Sequence, residues 1–530
     1  MSRLILYILI LVPVNLFSQS TFERELSLPN DTLASSIYIK DMVVTQYGTI
    51  KVLGRFYDGL SPATSGNFIA DLSLNGDISN IVYYPFMDPG NTLIESQNGA
   101  FIIAGDDIDI GFMTRVDDQG HIIWQKHYEN DDEVEMYETV ETSTGDLIST
   151  GEIDDWGDYH LFIKTDMNGD TLWTKMYLDG GEGYAIALLP DDGSVSTGDA
   201  FLYPASFGNG DIPVTRLDKD GNILWMKIYG DSANQYGNSI LYTSQQSILV
   251  GGATGHLPAD TLHTDQNAFI MNLDLQGNIL WYLELDDNGG NEHVQKLIED
   301  CTGDYIAAIY HHNQADSSNY AILVDISPDG QIEWSKRYGQ QDNPVQYIAD
   351  LIETPDDGFL LSCQTYQNIN QSGISIKTFI IKTDASGNSH CSDADLILQE
   401  QTRNLLSMDD NTQGWFPMSA YDATFKDGRD TIFGLKYTTY CSTQSFFTTD
   451  SLFLYPNPAP QGFFNLYKRG CPDESFSITV FDAIGRQVYT HQANAGEAIN
   501  KAYNLKLARG VYILKFEQNN KKTIKKFVVE

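Results

Sequence analysis

Between residues 36 and 390 the chain alternates short apolar runs with polar turns, and the alternation itself recurs. One copy reads as an apolar run at 184–189, a turn at Asp191-Asp192-Gly193, a run at 194–197 and a polar insertion. A run at 213–217, a turn at Asp218-Lys219-Asp220-Gly221 and a run at 223–229 complete it. Alternating apolar positions between such turns predict short half-buried strands. Glycine supplies the positive φ of a tight hairpin, and a nearby Asp or Asn bonds the turn backbone. The second turn carries the clearest signature: Asp117–Gly120–Trp124–Tyr128, Asp166–Gly169–Trp173–Tyr177, Asp218–Gly221–Trp225–Tyr229, Asp274–Gly277–Trp281–Leu285 and Ser327–Gly330–Trp334–Tyr338. Weaker copies stand at Gly76 and Gly387, and successive glycines lie 44, 49, 52, 56, 53 and 57 residues apart. The first turn keeps the same phase at Gly48, Gly99, Gly145, Gly193, Gly303 and Gly358.

A period near fifty residues means one supersecondary unit repeated and stacked. Four short antiparallel strands per unit define a blade, so the expected fold is all-β, a β-propeller, and the glycine series counts seven blades. The final copy, 348–387, lacks a Trp strand, while an unmatched run at 21–28 precedes the first copy. The N-terminal strand is therefore expected to close the last blade, which removes an exposed sheet edge. The Trp residues are expected to be core, packed between blades. Over about residues 20–390 the repeats resemble secreted propeller-like proteins characterised only by their repeat, in which Asp-x-x-Gly-Asn-x-x-Trp alternates with Asp-Gly-Gly. That resemblance implies a fold and no particular activity.

The ends say where the chain goes. Arg3, an apolar run at 4–16 and the small Ser18 before Gln19 read as a cleaved signal peptide, residues 1–18. The run is too short to span a bilayer, and no later one approaches a transmembrane helix. Charge narrows the partners further. The 530 residues carry 32 Lys+Arg against 72 Asp+Glu, a net charge of −40. Such a surface repels phosphate and anionic lipid, so nucleic acid is not an expected partner. Five cysteines are no disulfide framework; a bridge between Cys391 and Cys441 and unpaired buried thiols are both open.

Residues 452–530 break the acidic trend with a net +5, against −45 for the rest. They open on Tyr455-Pro456-Asn457-Pro458 and continue with an Asp482-x-x-Gly485-Arg486 hairpin. Gly510-Val511-Tyr512 enters a strand, and Lys521-Lys522 precedes the end. Alternating strands and glycine turns predict a small β-sandwich. As a combination these motifs resemble the C-terminal sorting domain of type IX secretion substrates of Gram-negative bacteria. The resemblance implies recognition by an outer-membrane translocon, with the cargo then released or attached to the cell surface. The expected division is signal peptide 1–18, propeller 19–391, a connecting segment with some β-structure 392–451, and sorting domain 452–530.

Catalytic motifs are absent: no Gly-x-Ser-x-Gly elbow, phosphate loop or His-Glu-x-x-His occurs. Asp166-Met-Asn-Gly-Asp170 looks like a calcium loop but lacks the downstream bidentate carboxylate. Hairpin topology places both turn series on one face and the loops of variable length on the other. The candidate binding face is accordingly Asp154, Trp156, His160, Tyr203, His256, Tyr310 and His311, where aromatic rings would stack on sugars. No cofactor is evident; calcium held by the carboxylate-rich loops is the one to consider. The function expected is an extracellular binding or structural module for a glycan or protein, more a binder than an enzyme. The alternative is a polysaccharide hydrolase or lyase using acidic loop residues, for which two carboxylates about 5–10 Å apart would be the mark.

Overall fold

The computed structural model describes residues 19–27, 36–57, 66–85, 90–107, 110–129, 133–154, 158–179, 181–201, 210–255, 265–287, 289–313, 318–339, 345, 347–368, 374–401, 403, 405–409, 413–414, 419–422, 436–445, 452–455, 463–468, 476–493, 501–518 and 521–529. The expected signal peptide lies outside them. Every regular element among them is a β-strand, and no helix is long and apolar enough to cross a membrane.

The body is a series of antiparallel meanders, each of four strands paired in chain order, at 36–85, 90–129, 133–179, 183–230, 235–286 and 291–338. The last unit, 347–382, supplies three strands. Gln19–Ser27 pairs with Ile374–Lys382 as its fourth, Phe22 facing Lys382 and Leu26 facing Thr378. A single parallel pairing, Ile37 with Lys377, joins this unit to the first.

The repeated residues have distinct tasks. Asp117 Oδ1 accepts hydrogen bonds from the N–H groups of Gln119 and His121 (3.0 and 2.7 Å), and Asp218 Oδ1 does the same for Asp220 and Asn222. Each Asp therefore satisfies its own turn. The following glycines sit in the left-handed region, for example Gly169 at φ 78° and Gly221 at φ 77°. They also make room: a Cβ on Gly221 would lie 2.9 Å from the Trp173 ring of the preceding unit. The five repeat Trp residues are half-buried rather than core, and three of them direct the indole N–H to the next turn, Trp124 to Met167 O at 3.1 Å among them. Trp225 donates to Leu275 O at 2.9 Å and Trp281 to Pro328 O at 3.1 Å. The fully buried residue is the Tyr four positions on. Tyr128, Tyr177 and Tyr229 donate to the carbonyls of Gly169, Gly221 and Gly277 at 2.8, 2.8 and 2.6 Å.

Between successive units lie separate apolar clusters. Leu53 and Phe101 belong to one, Met113 and Val134 to the next, then Phe162 and Met226, Val250 and Ile212, and Leu249 and Ile322. Phe22, Leu26 and Ile380 share a cluster with Ile37, Val52 and Phe68 of the first unit.

The segment expected to connect body and tail does more than connect. Its short strands add to the outer edges of successive units in reverse order. Ala394–Asp395 pairs with Ile332–Tyr338, Gln399–Gln401 with Ile279–Asp286, and Leu406–Asp409 with Ile223–Gly230. Gln413–Gly414 and Ser419–Asp422 then pair with Thr171–Asp179 and Ile122–Glu129, and Lys436–Ser445 with Gln19–Ser27. Arg403 pins this strap, reaching Glu284 at 3.0 Å and Thr254 Oγ1 at 2.8 Å. Cys391 is disulfide-bonded, whereas Cys301 and Cys363 are not part of a disulfide.

The tail, taken alone, has two antiparallel sheets, of three and four strands, with Phe476, Ile478, Val480, Leu514 and Phe516 as its core. Its hairpin repeats the body's turn chemistry: Gly485 has φ 83°, and Asp482 Oδ1 accepts from the N–H of Arg486 at 2.9 Å.

Two substitutions test these tasks. Tyr177→Phe, which removes the phenol donor to the Gly221 carbonyl, should lower unfolding free energy by about 1 kcal/mol. Gly221→Ala, which meets both the φ constraint and Trp173, should cost about 2–4 kcal/mol. Denaturant unfolding of the purified protein measures both; a neutral Gly221→Ala would refute the account of the turn.

Candidate functional site

The innermost strand of each unit carries a β-bulge at the same height. Register breaks at Ile39/Asp41, Gly90/Thr92, Met136/Glu138, Gly183/Ala185, Gly237/Ser239, Val294/Lys296 and Ile348/Asp350. A bulge re-aims the side chains around it. Here they border a cavity of about 240 Å³, lined by Lys40, Asp41, Asn91, Tyr137, Glu138, Tyr184, Asn238, Gln295, Lys296 and Tyr347 among others.

Several lining groups hold the next inner strand. Asp41 Oδ2 accepts from Leu93 N at 2.5 Å, Asp350 Oδ2 from Met42 N at 2.8 Å and Glu138 Oε2 from Ile186 N at 2.9 Å. Across the cavity Lys296 Nζ donates to Glu138 Oε1 at 2.8 Å. Burial alone would lower the Lys296 ammonium, but the Glu138, Asp350 and Asp41 carboxylates outweigh it and hold it above its ordinary range. Burial raises Asp41 and raises Asp350 further, and the two carboxyl groups hydrogen-bond to each other. Higher on the wall Tyr137 OH donates to Glu135 at 2.5 Å and Glu152 at 2.9 Å, and Tyr184 OH to Asp199 at 3.1 Å. Burial raises both phenols, which stay protonated donors. With cations, carboxylates and neutral donors offsetting one another, the lining suits an uncharged, hydroxyl-rich ligand better than an ion.

Of the residues expected on a binding face, four are described, and two of these, His160 and His311, are buried. Asp154 is exposed at the end of Leu147–Asp154, and Tyr310 is half-buried. Trp156, Tyr203 and His256 lie outside the described residues. His160 is fully buried; its Nε2 lies 2.9 Å from Thr150 Oγ1 and 2.8 Å from Ser196 Oγ, and its ring stacks on Phe162. It is a core residue, placed inward because the adjacent Gly183 leaves it space. His311 is also buried, against Glu292 and Tyr320. Sequence reasoning passed over the cavity residues because no single residue type recurs through the bulge positions.

Cys301, Glu353 and Asp357 lie close enough to share a metal ion, and burial raises Glu353 to about 7. The turn aspartates offer no calcium loop, since their oxygens already hold backbone and Asn donors.

In the tail Tyr455 ends the strand Leu452–Tyr455, while Pro456, Asn457 and Pro458 lie outside the described residues. Gly485 forms the hairpin and Gly510 opens a strand. Tyr512 is buried and donates to Ala508 O at 2.8 Å. Lys521 begins the last strand, and exposed Lys522 pairs with Glu517.

Residues 453–530 match the family described as the secretion system C-terminal sorting domain. This protein is therefore a type IX secretion substrate, exported and either secreted or held at the cell surface. Its cargo portion is an all-β, propeller-like body. Similar solved structures include the β-propeller domain of the Trilobed protease from Pyrococcus furiosus, at 13% identity over 63% of this chain and 94% of that one, TM-score 0.39. A protein from Lactobacillus plantarum shows 10% identity over 72% and 100% of the two chains, TM-score 0.38. A protein of unknown function from Bacteroides caccae shows 14% over 54% and 90%, TM-score 0.33. A comparison with curated proteins gave no match.

Burial lowers the His160 pKa from 6.5 to about 3. The unfolded chain binds this proton near 6.5 and the folded chain only near 3, so the stability it gives is complete above pH 6.5 and lost as pH falls. The stability difference between wild type and His160→Gln should therefore shrink from pH 7 to pH 4 in parallel denaturant titrations; a constant difference would refute the assignment.

Proposed function

We propose that the body is a seven-bladed propeller closed by its N-terminal strand, acting outside the cell as a binding module for a neutral glycan in its central cavity. The observation that carries this is the set of bulges, which places lining side chains from every inner strand around one open polar cavity. The pairing of Gln19–Ser27 with the last unit and the cluster shared by Phe22 and Ile37 support closure. The type IX translocon is the partner of the tail.

Glycoside hydrolysis is the less favoured reading. Among the described lining residues the carboxylates are Asp41 and Glu138, and each is already engaged, Asp41 by Asp350 and Glu138 by Lys296, which disfavours them as a free acid and base. Calcium is disfavoured for the same reason, since these carboxylates already have partners.

Deletion of 453–530 should leave the cargo in the periplasm, as read by cell fractionation. Glycan-array and calorimetric screening of the exported protein, with calcium and EDTA arms, tests the cavity. A neutral oligosaccharide should bind without calcium, and Tyr347→Ala should weaken it about tenfold. Unchanged affinity in that variant, or strictly calcium-dependent binding, would overturn the reading.

A further inference from the structure

Away from the cavity, three strands of one unit bring a serine, a histidine and a glutamate into line. Glu292 lies on Asn291–Glu299 and His311 on Tyr305–Asn313, directly opposite each other in register. Ser318 begins Ser318–Ile326 and pairs with Asn313. All three lie at the end of the unit opposite its glycine turns at Gly303 and Gly330. His311 Nδ1 is 2.6 Å from Glu292 Oε1, and Nε2 is 3.4 Å from Ser318 Oγ.

The imidazole is held on every side. It stacks on Tyr320 at 4.1 Å, and the Tyr320 hydroxyl is itself tied to Asp287. Gly290 leaves the space the ring occupies; a Cβ there would fall 2.2 Å from His311 Cε1. His311 and Glu292 are each 1% exposed, whereas Ser318 is partly exposed. Glu292 Oε2 is buried with no hydrogen-bond partner among the described residues. Burying a carboxylate this way is costly, and an apolar pair would fill the space with less desolvation. What the carboxylate does provide is a fixed tautomer: Nδ1–H donates to Glu292 and Nε2 is left unprotonated toward Ser318. The Ser–His distance lies at the loose end of the range seen before substrate binds.

We propose that Ser318, His311 and Glu292 form a nucleophile, its general base and the carboxylate that positions the base, giving the protein an activity on carboxylic esters. Ser318 Oγ attacks the acyl carbon while its proton passes to His311 Nε2. Collapse breaks the ester C–O bond, and the leaving alcohol takes that proton. Water then attacks the acyl-serine by the same route, releasing the carboxylic acid and restoring the serine. Glu292 stays ionised throughout. This goes beyond the glycan-binding reading and is independent of the cavity.

The test is to incubate the full exported protein with a fluorophosphonate, in which Oγ–P forms as P–F breaks, and to map the adduct by peptide mass. The adduct should sit on Ser318, and Ser318→Ala should lose both it and p-nitrophenyl acetate hydrolysis. His311→Gln should slow labelling at least about 100-fold. Glu292→Gln should slow it as well, with partial recovery in Glu292→Asp, which separates positioning from bulk structure. Because His311 and Glu292 are buried, the exposed-side variant decides if theirs fail to fold. No adduct on wild-type Ser318, or wild-type ester hydrolysis by Ser318→Ala, would overturn the proposal.

Discussion

A phenol from one unit reaching the last carbonyl of the next unit's turn is the contact on which the array depends. A hairpin turn satisfies most of its own backbone, and here the aspartate satisfies two more N–H groups. The glycine carbonyl is left over, and it is buried against the neighbouring unit, where an unmade hydrogen bond is expensive. The Tyr hydroxyl supplies it, and the half-buried Trp covers the glycine from outside. Tyr84, Tyr128, Tyr177, Tyr229 and Tyr338 thus each make their unit a donor to the turn that follows, so those units are not satisfied alone. The rule survives local change. Leu285 stands where the Tyr would be, yet Trp281 still donates to Pro328 O. The first copy has no Trp, yet Tyr84 still reaches Gly120 O at 2.8 Å.

A second set of ties runs along the other turn series. Gln46 N donates to Glu95, Gln97 N to Glu141, Ser244 N to Glu299 and Cys301 N to Glu353, at 2.6, 2.9, 2.7 and 3.0 Å. Part of the chain's acidity is therefore structural: carboxylates cap the turns of their neighbours. At the inner strands Asp41, Glu138 and Asp350 repeat the principle on backbone N–H groups. Of these, Asp41 and Glu138 also line the cavity, where Glu138 holds Lys296 and Asp41 meets Asp350, which is how a device for joining units comes to line a polar site.

What was legible in the sequence followed from periodicity. Turn glycines, strand pairs and the completing N-terminal strand all have local signatures, and Gln19–Ser27 lies where the unmatched run was read. The strap strands at 394–422 were not legible, because two- to four-residue strands leave no alternation and their pairing partners lie up to about three hundred residues away. The bulges were invisible for another reason. Lys40, Asn91, Tyr137, Tyr184, Asn238, Gln295 and Ala349 share a backbone geometry and no side-chain chemistry. His160 shows the converse error: a polar residue in a variable stretch reads as surface, and only the three-dimensional packing against Gly183 and Phe162 turns it inward.

The two ends of the body are fastened by buried charge rather than by apolar contact alone. Glu23, fully buried on the N-terminal strand, accepts from Ser389 Oγ at 3.0 Å and from Ser392 N at 2.9 Å, beside disulfide-bonded Cys391. Two residues on, Glu25 pairs with Lys377 at 3.3 Å. A desolvated carboxylate destabilises any state in which those donors are missing, so the N-terminal strand has no comfortable place until residue 392 is present. The strap then covers outer edges that would otherwise invite pairing with other chains. Completion of the body thus depends on residues that follow the last repeat, from Ser389 and Ser392 onward through the strap.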